Sequence, residues 1–336
     1  MKIEASRRLE HFQTGIFAAL NEKKEELLAS GKKIYNLSVG TPDFPVFDHI
    51  RKALVEAAQD PEKYHYTLRD LPELHEAVKD YYKKRFDVEI STDEIVAVPG
   101  SQEGVAHLGL TLCNPGDVVL LPNPGYPVFE VGAYLGGAEL YFYELREEND
   151  FLPKFDEIPE DIARRAKYIM VSYPYNPVCA VAPASFYEEL IAYAKKYNII
   201  VVHDNAYSDI IYDGVRGGSF LEFPGAKEVG IECFSLSKSF NLTGARVSFM
   251  IGNREIIDAV KLLRSQYDFG IFEPIQRAAI AALEGPLEPV RAQCVRYQER
   301  RDALCGGLRS IGWDVRDSQG TMFAWARIPE GFSSSQ

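Results

Sequence analysis

The stretch that decides the fold runs from Tyr168 to Asp204 and reads YIMVSYPYNPVCAVAPASFYEELIAYAKKYNIIVVHD. Short apolar runs at residues 168–171 and 199–202 lie near its two ends. Such runs suit strands that are buried on both faces, as in a parallel sheet. Between them, residues 185–198 have apolar side chains at helical spacing, and Ser185-x-x-Glu188 predicts a capping box at the start of a helix. A strand, a helix and a strand in this order predict a βαβ crossover.

The same alternation continues on both sides of this stretch. The further apolar runs are residues 95–98, 118–121, 231–234 and 247–251. Together they predict an α/β fold with a three-layer α/β/α large domain at residues 46–285, built on a mainly parallel sheet. Helical patterns at residues 7–29 and 289–309 predict a second, smaller α+β domain made from both termini, residues 1–45 and 286–336. A strand-like run at 322–328 and a helix-like start at 332–336 lead us to expect that this small domain is incomplete at its C-terminus.

Composition and charge exclude several classes of protein. The chain has 336 residues, 46% of them hydrophobic and 26% charged, which is ordinary for a globular protein of about two domains. Its net charge of −12 argues against a binder of nucleic acid or anionic membranes, because phosphates need a basic surface. No apolar run suits a signal peptide or a spanning helix. Five cysteines without a Cys-x-x-Cys pair argue against disulfides and a metal site, and they favour a reduced, cytoplasmic protein.

A lysine flanked by hydroxyl groups is the first candidate for chemistry. Ser235 and Ser237 precede Lys238, and a Thr-Gly-Ala-Arg stretch ends at Arg246, eight residues further on. Hydroxyl and guanidinium donors that converge form a site for a phosphate. A lysine beside such a site can have a lowered pKa and can form a Schiff base with a carbonyl. We therefore predict that Lys238 is a nucleophile rather than an ordinary surface lysine.

A carboxylate is expected at the end of a buried strand. Asp204 follows the apolar run 199–202 and His203, so it should lie at the carboxyl edge of the sheet, where ligands bind. A protonated pyridinium nitrogen would be a suitable partner, because the ion pair keeps such a ring able to accept electrons. An ordinary role as a helix N-cap remains an alternative for Asp204. His203 is expected to be a packed core or supporting residue.

Three turns could add donors and an aromatic ring. Ser101 and Gln102 open a helix after the run 95–98, where free N–H groups can bind phosphate. Tyr126 offers a ring that can stack on a flat heterocycle, and Asn176 offers an amide to a ring hydroxyl. Each turn taken singly is also explained by ordinary turn chemistry. The dinucleotide and P-loop glycine patterns are absent.

The order Asn-Pro, His-Asp-x-x-Tyr, Ser-x-Ser-Lys and Gly-x-Arg resembles the fold-type I pyridoxal-5′-phosphate enzymes of the class I and II aminotransferase family. The resemblance extends from the stretch 39–45 to the stretch 320–323. Within the family, the stretches 100–108, 114–119 and 203–208 are most similar to LL-diaminopimelate aminotransferases and their near relatives. The resemblance implies pyridoxal 5′-phosphate as cofactor, amino-group transfer between an amino acid and a 2-oxo acid, and a cytoplasmic homodimer with shared active sites.

The resemblance also implies roles for individual residues. Lys238 matches the lysine that bonds to the cofactor and moves the substrate proton, and Asp204 matches the acid that pairs with the ring nitrogen. Tyr207 and Asn176 match the donors to the ring O3′, and Tyr126 matches the stacking aromatic. The residues that match the phosphate site are Ser101, Gln102, Ser235, Ser237 and Arg246.

Two further matches concern the substrate and the second subunit. Gly40 matches a backbone position near the substrate carboxylate. Tyr66 matches a tyrosine that reaches the phosphate of the neighbouring subunit, although the local spacing leaves His65 as a competitor for this role.

The chain departs from the family pattern at three places. The usual Asn-Asn-Pro-Thr-Gly is Tyr-Asn-Pro-Val-Cys at residues 175–179, and a glycine expected soon after Tyr66 is Asp70. Family members usually run some tens of residues further, with an arginine that pairs with the substrate carboxylate, so we expect a fragment or a natural truncation. Two alternatives to a transaminase follow: a pyridoxal-phosphate-dependent carbon–sulfur β-lyase, and an inactive truncated homologue that binds the cofactor.

Overall fold

A computed structural model of the chain describes residues 1, 3–12, 16–37 and 40–332. The chain divides into two compact units, Met1–Pro42 and Asp43–Gln336. The first unit contains a short 3₁₀ helix, Arg7–His11, and helix α1, Ile16–Ala29. The continuous helix predicted at residues 7–29 is wrong at its start, because Phe12 after the 3₁₀ helix is in an extended conformation. The domain boundaries predicted at residues 45 and 286 stay a prediction.

The second unit is built on a seven-stranded sheet. The strands are β1 (Ile95–Val98), β2 (Val118–Asn123), β3 (Glu139–Glu144), β4 (Ala166–Ser172), β5 (Ile200–Asn205), β6 (Gly230–Ser235) and β7 (Ser248–Gly252). Their order across the sheet is β1-β7-β6-β5-β4-β2-β3. The pairs that involve β7 are antiparallel and all other pairs are parallel, so the predicted mainly parallel sheet is confirmed.

Helices cover both faces of the sheet. They are α2 (Asp48–Gln59), α3 (Pro72–Phe86), α4 (Ser101–Leu112), α5 (Val128–Leu135), α6 (Glu160–Arg165), α7 (Ala184–Tyr197), α8 (Ala226–Val229), α9 (Leu236–Ser239), α10 (Arg254–Tyr267), α11 (Glu273–Glu284) and α12 (Glu288–Ser310). Successive strand residues enter two separate apolar clusters: Ile169 and Val171 belong to one, and Tyr168 and Met170 belong to the other. This alternation is what a sheet buried on both faces requires, and it confirms the three-layer α/β/α arrangement.

Local details differ from the sequence-based expectations. Helix α7 begins at Ala184 after an extended Pro183, and its start has no side-chain cap, so the capping box predicted at Ser185 is wrong. The predicted apolar face of α7 is buried as expected. The strand-like run 322–328 forms no strand, and its described pairing is one bridge between Val315 and Ala326. Most of the helix start predicted at 332–336 lies outside the described residues. The described helices include none with the length and apolar character needed to cross a membrane.

Candidate active site

The candidate residues of the second unit come from segments next to one edge of the sheet. Ser101 follows β1, Tyr126 follows β2 and Asn176 follows β4. Asp204 lies near the end of β5, and Lys238 lies in α9 directly after β6. Ligands of parallel α/β sheets bind at this carboxyl edge. Because β7 runs in the opposite direction, the segment before β7 returns to the same edge and brings Arg246 with it.

Asp204 presents a carboxylate that lacks a partner. Its Oδ1 is shielded from solvent and has no hydrogen bond within the part of the chain that the structure describes. Burial raises the pKa of Asp204 to about 6, although the nearby His203 and Lys238 favour its charged form. A buried carboxylate oxygen in this state is suited to accept a hydrogen bond from a cationic ring nitrogen, because a buried charge is stable only when it is paired.

Lys238 lies near the end of the short helix α9. Ser235 is the N-cap of this helix, and its Oγ accepts a hydrogen bond from the Ser237 N–H at 3.2 Å. Burial and the charge of Arg246 lower the pKa of Lys238, and the charge of Asp204 opposes that shift. A lysine whose pKa is lowered keeps more of its amine neutral near physiological pH, which is the form that attacks a carbonyl.

The guanidinium of Arg246 lies against the residue that precedes α4. Gly100 precedes α4 with φ +90°, and a Cβ at this residue would lie 2.2 Å from Nη2 of Arg246. The next residue, Ser101, has a buried hydroxyl with no partner among the described residues. Ser248 donates to the Oγ of Ser235 at 3.0 Å. A guanidinium, a free hydroxyl and helix N–H groups at one place are the donors that a phosphate uses.

Two tyrosines lie near Asp204. Tyr126 donates its hydroxyl to Gln102 Oε1 at 3.0 Å, so the aromatic turn after β2 is connected to the start of α4. Burial raises the pKa of Tyr126, and the charge of Asp204 raises it further. Burial and the same carboxylate also raise the pKa of Tyr207, which is 4% exposed. Both phenols therefore remain neutral donors at physiological pH.

Asn176 lies in a turn that the backbone closes tightly. The Tyr175 N–H donates to the Ala180 carbonyl at 2.9 Å, and the Cys179 N–H donates to the Tyr175 carbonyl at 2.8 Å. Cys179 has φ +65°, a left-handed conformation in which glycine is the usual residue. The turn thus keeps the backbone shape of a glycine-containing sequence although a cysteine replaces the glycine.

Two of the predicted residues are exposed, and a third belongs to the other unit of the chain. Tyr66 is 87% exposed, and its ring lies 6.1 Å from that of Phe269. His65 is exposed as well and lies 3.7 Å from Glu62. Gly40 belongs to the unit Met1–Pro42. Asp70, found where a glycine is usual, instead accepts a hydrogen bond from the Ala97 N–H at 2.7 Å.

Sequence reasoning missed a buried polar network on the other face of β5. Glu232, fully buried, accepts hydrogen bonds from Tyr82 at 2.7 Å and Ser219 at 2.8 Å, and it pairs with His203 at 3.0 Å. These donors, and His203 in particular, lower the pKa of Glu232 against the effect of burial. A glutamate inside an otherwise apolar strand was the available signal, because such a charge requires several partners. Asp209, which is 7% exposed, is a second buried acidic residue that the sequence analysis did not identify.

The fold and these residues define a class of enzyme. Four groups fit a ring with a cationic nitrogen, a phosphate and an aldehyde: the unpartnered Oδ1 of Asp204, the unpartnered hydroxyl of Ser101, the guanidinium of Arg246, and the amine of Lys238, whose pKa is lowered. That combination is pyridoxal 5′-phosphate, on a fold whose sheet edge suits it.

Comparisons with known proteins support this class of enzyme. Residues 32–334 match the family Aminotransferase class I and II. The chain is 42% identical over 335 residues to the LL-diaminopimelate aminotransferase of Dehalococcoides mccartyi, covering 99% of this chain and 86% of that protein. It is 40% identical to the enzyme of that name from Aquifex aeolicus, with coverages of 99% and 87%.

Solved structures with a similar fold support the same class of enzyme. Substrate-bound BacF from Bacillus subtilis superposes with a TM-score of 0.95 at 37% identity, covering 99% of this chain and 85% of that one. A probable N-succinyldiaminopimelate aminotransferase from Thermus thermophilus gives a TM-score of 0.89 at 35% identity, with coverages of 95% and 86%. The chain therefore belongs to the class I and II aminotransferases. It is a pyridoxal-phosphate-dependent enzyme that moves an amino group between an amino acid and a 2-oxo acid, as the sequence predicts.

Proposed function

We propose that the amino acids of this transaminase are LL-diaminopimelate and glutamate. The relatives that carry the name LL-diaminopimelate aminotransferase support this, because they are 39–42% identical and match 99% of the chain. The free cysteines support a cytoplasmic location as part of the same proposal.

The observation that carries the site assignment is the buried Oδ1 of Asp204, which has no hydrogen bond among the described residues. An unpartnered, buried carboxylate oxygen and a lysine of lowered pKa influence each other's charge at the same sheet edge. When bound, pyridoxal 5′-phosphate supplies an aldehyde and an electron-accepting ring. Asp204 Oδ1 holds the proton on the ring nitrogen, and Lys238 Nζ removes and returns the proton at the substrate Cα.

The remaining candidate residues would bind and orient the cofactor and the substrate. Tyr207 and Asn176 would donate to the ring O3′, and Tyr126 would stack on the ring. Ser101, Gln102, Ser235, Ser237 and Arg246 would hold the phosphate. The role that the family resemblance implies for Gly40 stays a prediction. Since Arg246 also lowers the pKa of Lys238, one guanidinium serves both the phosphate site and the amine.

We also propose that a second copy of the chain covers the aromatic surface around Tyr66. This surface consists of Tyr64, Tyr66, Leu68, Tyr267, Phe269 and Phe272. Its side chains are between 38% and 87% exposed. The Tyr64 and Phe272 rings lie 5.2 Å apart and the Tyr66 and Phe269 rings lie 6.1 Å apart, so the two segments that carry these residues adjoin. Exposed apolar surfaces of this kind mark interfaces, and in a homodimer Tyr66 would reach the phosphate of the partner's site.

An amino-acid panel tests the proposed substrate. We expect glutamate to form from LL-diaminopimelate and 2-oxoglutarate with a kcat/KM at least about tenfold above that for aspartate or N-succinyl-LL-diaminopimelate. Lys238→Ala is the control that removes enzymatic transfer. Equal use of all donors would contradict the substrate proposal. Release of ammonia and pyruvate from cystathionine without a 2-oxo acid would instead show a β-lyase.

A further inference from the structure

A buried carboxylate joins the segments that carry Asp204 and Lys238. Asp209 lies five residues after Asp204 and is 7% exposed. Its Oδ2 accepts a hydrogen bond from the hydroxyl of Ser239 at 2.9 Å. Ser239 is the neighbour of Lys238 and the last residue of α9. One side-chain hydrogen bond therefore connects the loop after β5 to the helix that presents the lysine.

The short helix needs external support of this kind. Helix α9 has four residues, too few to be stable without tertiary contacts. On its other side, Gln293 of α12 donates to the Lys238 carbonyl at 3.5 Å and accepts from Asn241 at 2.8 Å. The helix is thus held between α12 and Asp209, and the two contacts act on the residues at and next to Lys238.

Asp209 is itself fixed by helix α3. Arg85 Nε donates to its Oδ1 at 3.1 Å, and the Tyr81 hydroxyl donates to its Oδ2 at 3.2 Å. The carboxylate cannot rotate without losing charge-assisted hydrogen bonds in a buried place, which makes it a rigid anchor. Ser239 and Tyr81 share one oxygen of this anchor, but only Ser239 belongs to α9.

We propose that Asp209 is a positioning residue for Lys238: through Ser239 it fixes the place of α9 relative to the loop after β5, and so keeps the lysine amine in its half-buried position. The proposal rests on the assignment of Lys238 made above. The proposal predicts that the hydrogen bond between Ser239 and Asp209 affects the environment of the Lys238 amine as well as the stability of the fold.

The test measures the titration of the Lys238 amine. Full-length protein freed of cofactor is acetylated with acetic anhydride over a range of pH, and mass spectrometry follows the peptides that contain Lys238 and the exposed Lys84. We expect Ser239→Ala to raise the midpoint for Lys238 by about one pH unit toward that of Lys84, because a loosened helix lets the ammonium reach water. Asp209→Asn should give the same shift, and the double variant should add nothing to it.

Tyr81→Phe is the matched control, because it removes a donor from the same carboxylate oxygen without touching α9. It should lower the melting temperature and leave the Lys238 midpoint unchanged. If Asp209→Asn does not fold, Ser239→Ala alone decides the matter. An unchanged midpoint in folded Ser239→Ala protein, or an equal shift in Tyr81→Phe, would overturn the positioning role.

The two proposals fail in different ways. If Lys238 is not the cofactor lysine, borohydride reduction of the wild-type holoenzyme places the phosphopyridoxyl mass on another lysine, whatever the midpoints are. If only the positioning role fails, that mass is found on Lys238 while its midpoint is the same in all variants.

Discussion

At the residue scale, the carboxyl of Asp204 destabilises the folded chain when no ligand pairs with it. Its carboxyl is buried without a hydrogen bond on Oδ1, and burial raises its pKa from 3.8 to about 6. The folded chain therefore binds this proton more tightly than the unfolded chain does. Stability is lost as the pH rises from about 4 through 6, because the carboxyl must then ionise inside the protein. Binding a cationic group would remove that cost.

We predict that Asp204→Asn stabilises the cofactor-free protein. Above pH 6 the gain in the free energy of unfolding should be about 1–3 kcal/mol. It should shrink as the pH falls toward 4 and vanish only well below pH 3.8, where Asp204 is protonated in both the folded and the unfolded state. Urea unfolding at pH 4.5 and pH 8 measures it. In the same variant, cofactor affinity and transamination should fall strongly, since an amide cannot hold the ring nitrogen as a cation.

Ser101→Ala serves as a comparison for Asp204→Asn, because it also removes an orphaned buried polar atom but has no charge to titrate. Its effect on stability should not depend on pH. A pH-independent effect of Asp204→Asn would show that the carboxyl does not titrate in this window.

At the element scale, the reversed strand β7 and the helix α4 bring together residues of the proposed phosphate site. The guanidinium of Arg246 occupies the space that a side chain at residue 100 would need, so the glycine there is required by close approach and by its positive φ. The two elements are far apart in the sequence, and only the antiparallel pairing of β7 with β6 brings Arg246 to the edge where α4 begins.

We predict that Gly100→Ala weakens pyridoxal-phosphate binding about 10–100-fold, because the new methyl group displaces the guanidinium and its charge-assisted hydrogen bonds. Gly116→Ala is the matched control: Gly116 also has a positive φ, at +95°, but a Cβ there meets nothing within 4 Å. Both variants should lose a similar amount of stability from backbone strain. Fluorescence titration with the cofactor measures the difference, and equal affinities in the two variants would argue against this geometry.

The sequence predicted the central elements well because their patterns are strong. Strands buried on both faces appear as largely apolar runs, so the sequence predicts β1, β2 and β4 to β7, although Glu232 interrupts the run in β6. The edge strand β3 was missed because Tyr143 is its one buried residue, which leaves little periodic signal. The run 322–328 has the composition of a strand, but pairing decides whether a strand forms, and it is not visible in the composition.

The residues of the candidate site also divide into those that a local sequence pattern predicts and those that it does not. Residues next to a strand end, such as Asp204 and Lys238, were placed by local pattern and family resemblance. Asp209 and Ser239 were not found, because their hydrogen bond joins residues 30 positions apart and neither belongs to a recognisable motif. Tertiary support of this type becomes visible only in three dimensions.

At the scale of the whole molecule, the aromatic surface around Tyr66 lies beside the β1 edge of the sheet. Arg264 of α10 donates to the Ala97 carbonyl of β1 and to the Phe269 carbonyl, which connects that edge to the surface. Phe142 on β3 is 44% exposed at the opposite edge. Substitutions of Phe269 and Phe142 can therefore compare the two edges of the sheet as candidate interfaces.

We predict that the wild-type protein sediments as a dimer, at twice the 37.8 kDa of one chain. Phe269→Glu should dissociate it, because a carboxylate would then be buried without a partner in the interface. Phe142→Glu should leave it dimeric. Analytical ultracentrifugation distinguishes these outcomes. Dissociation by Phe142→Glu alone would place the interface on the β3 edge instead.

The central claim is that Lys238 bonds to pyridoxal 5′-phosphate, and peptide mass spectrometry of borohydride-reduced holoenzyme tests it most directly. We expect one phosphopyridoxyl adduct, on the peptide that contains Lys238, and its loss in Lys238→Ala. An adduct on a different lysine in protein that catalyses transamination would contradict the account.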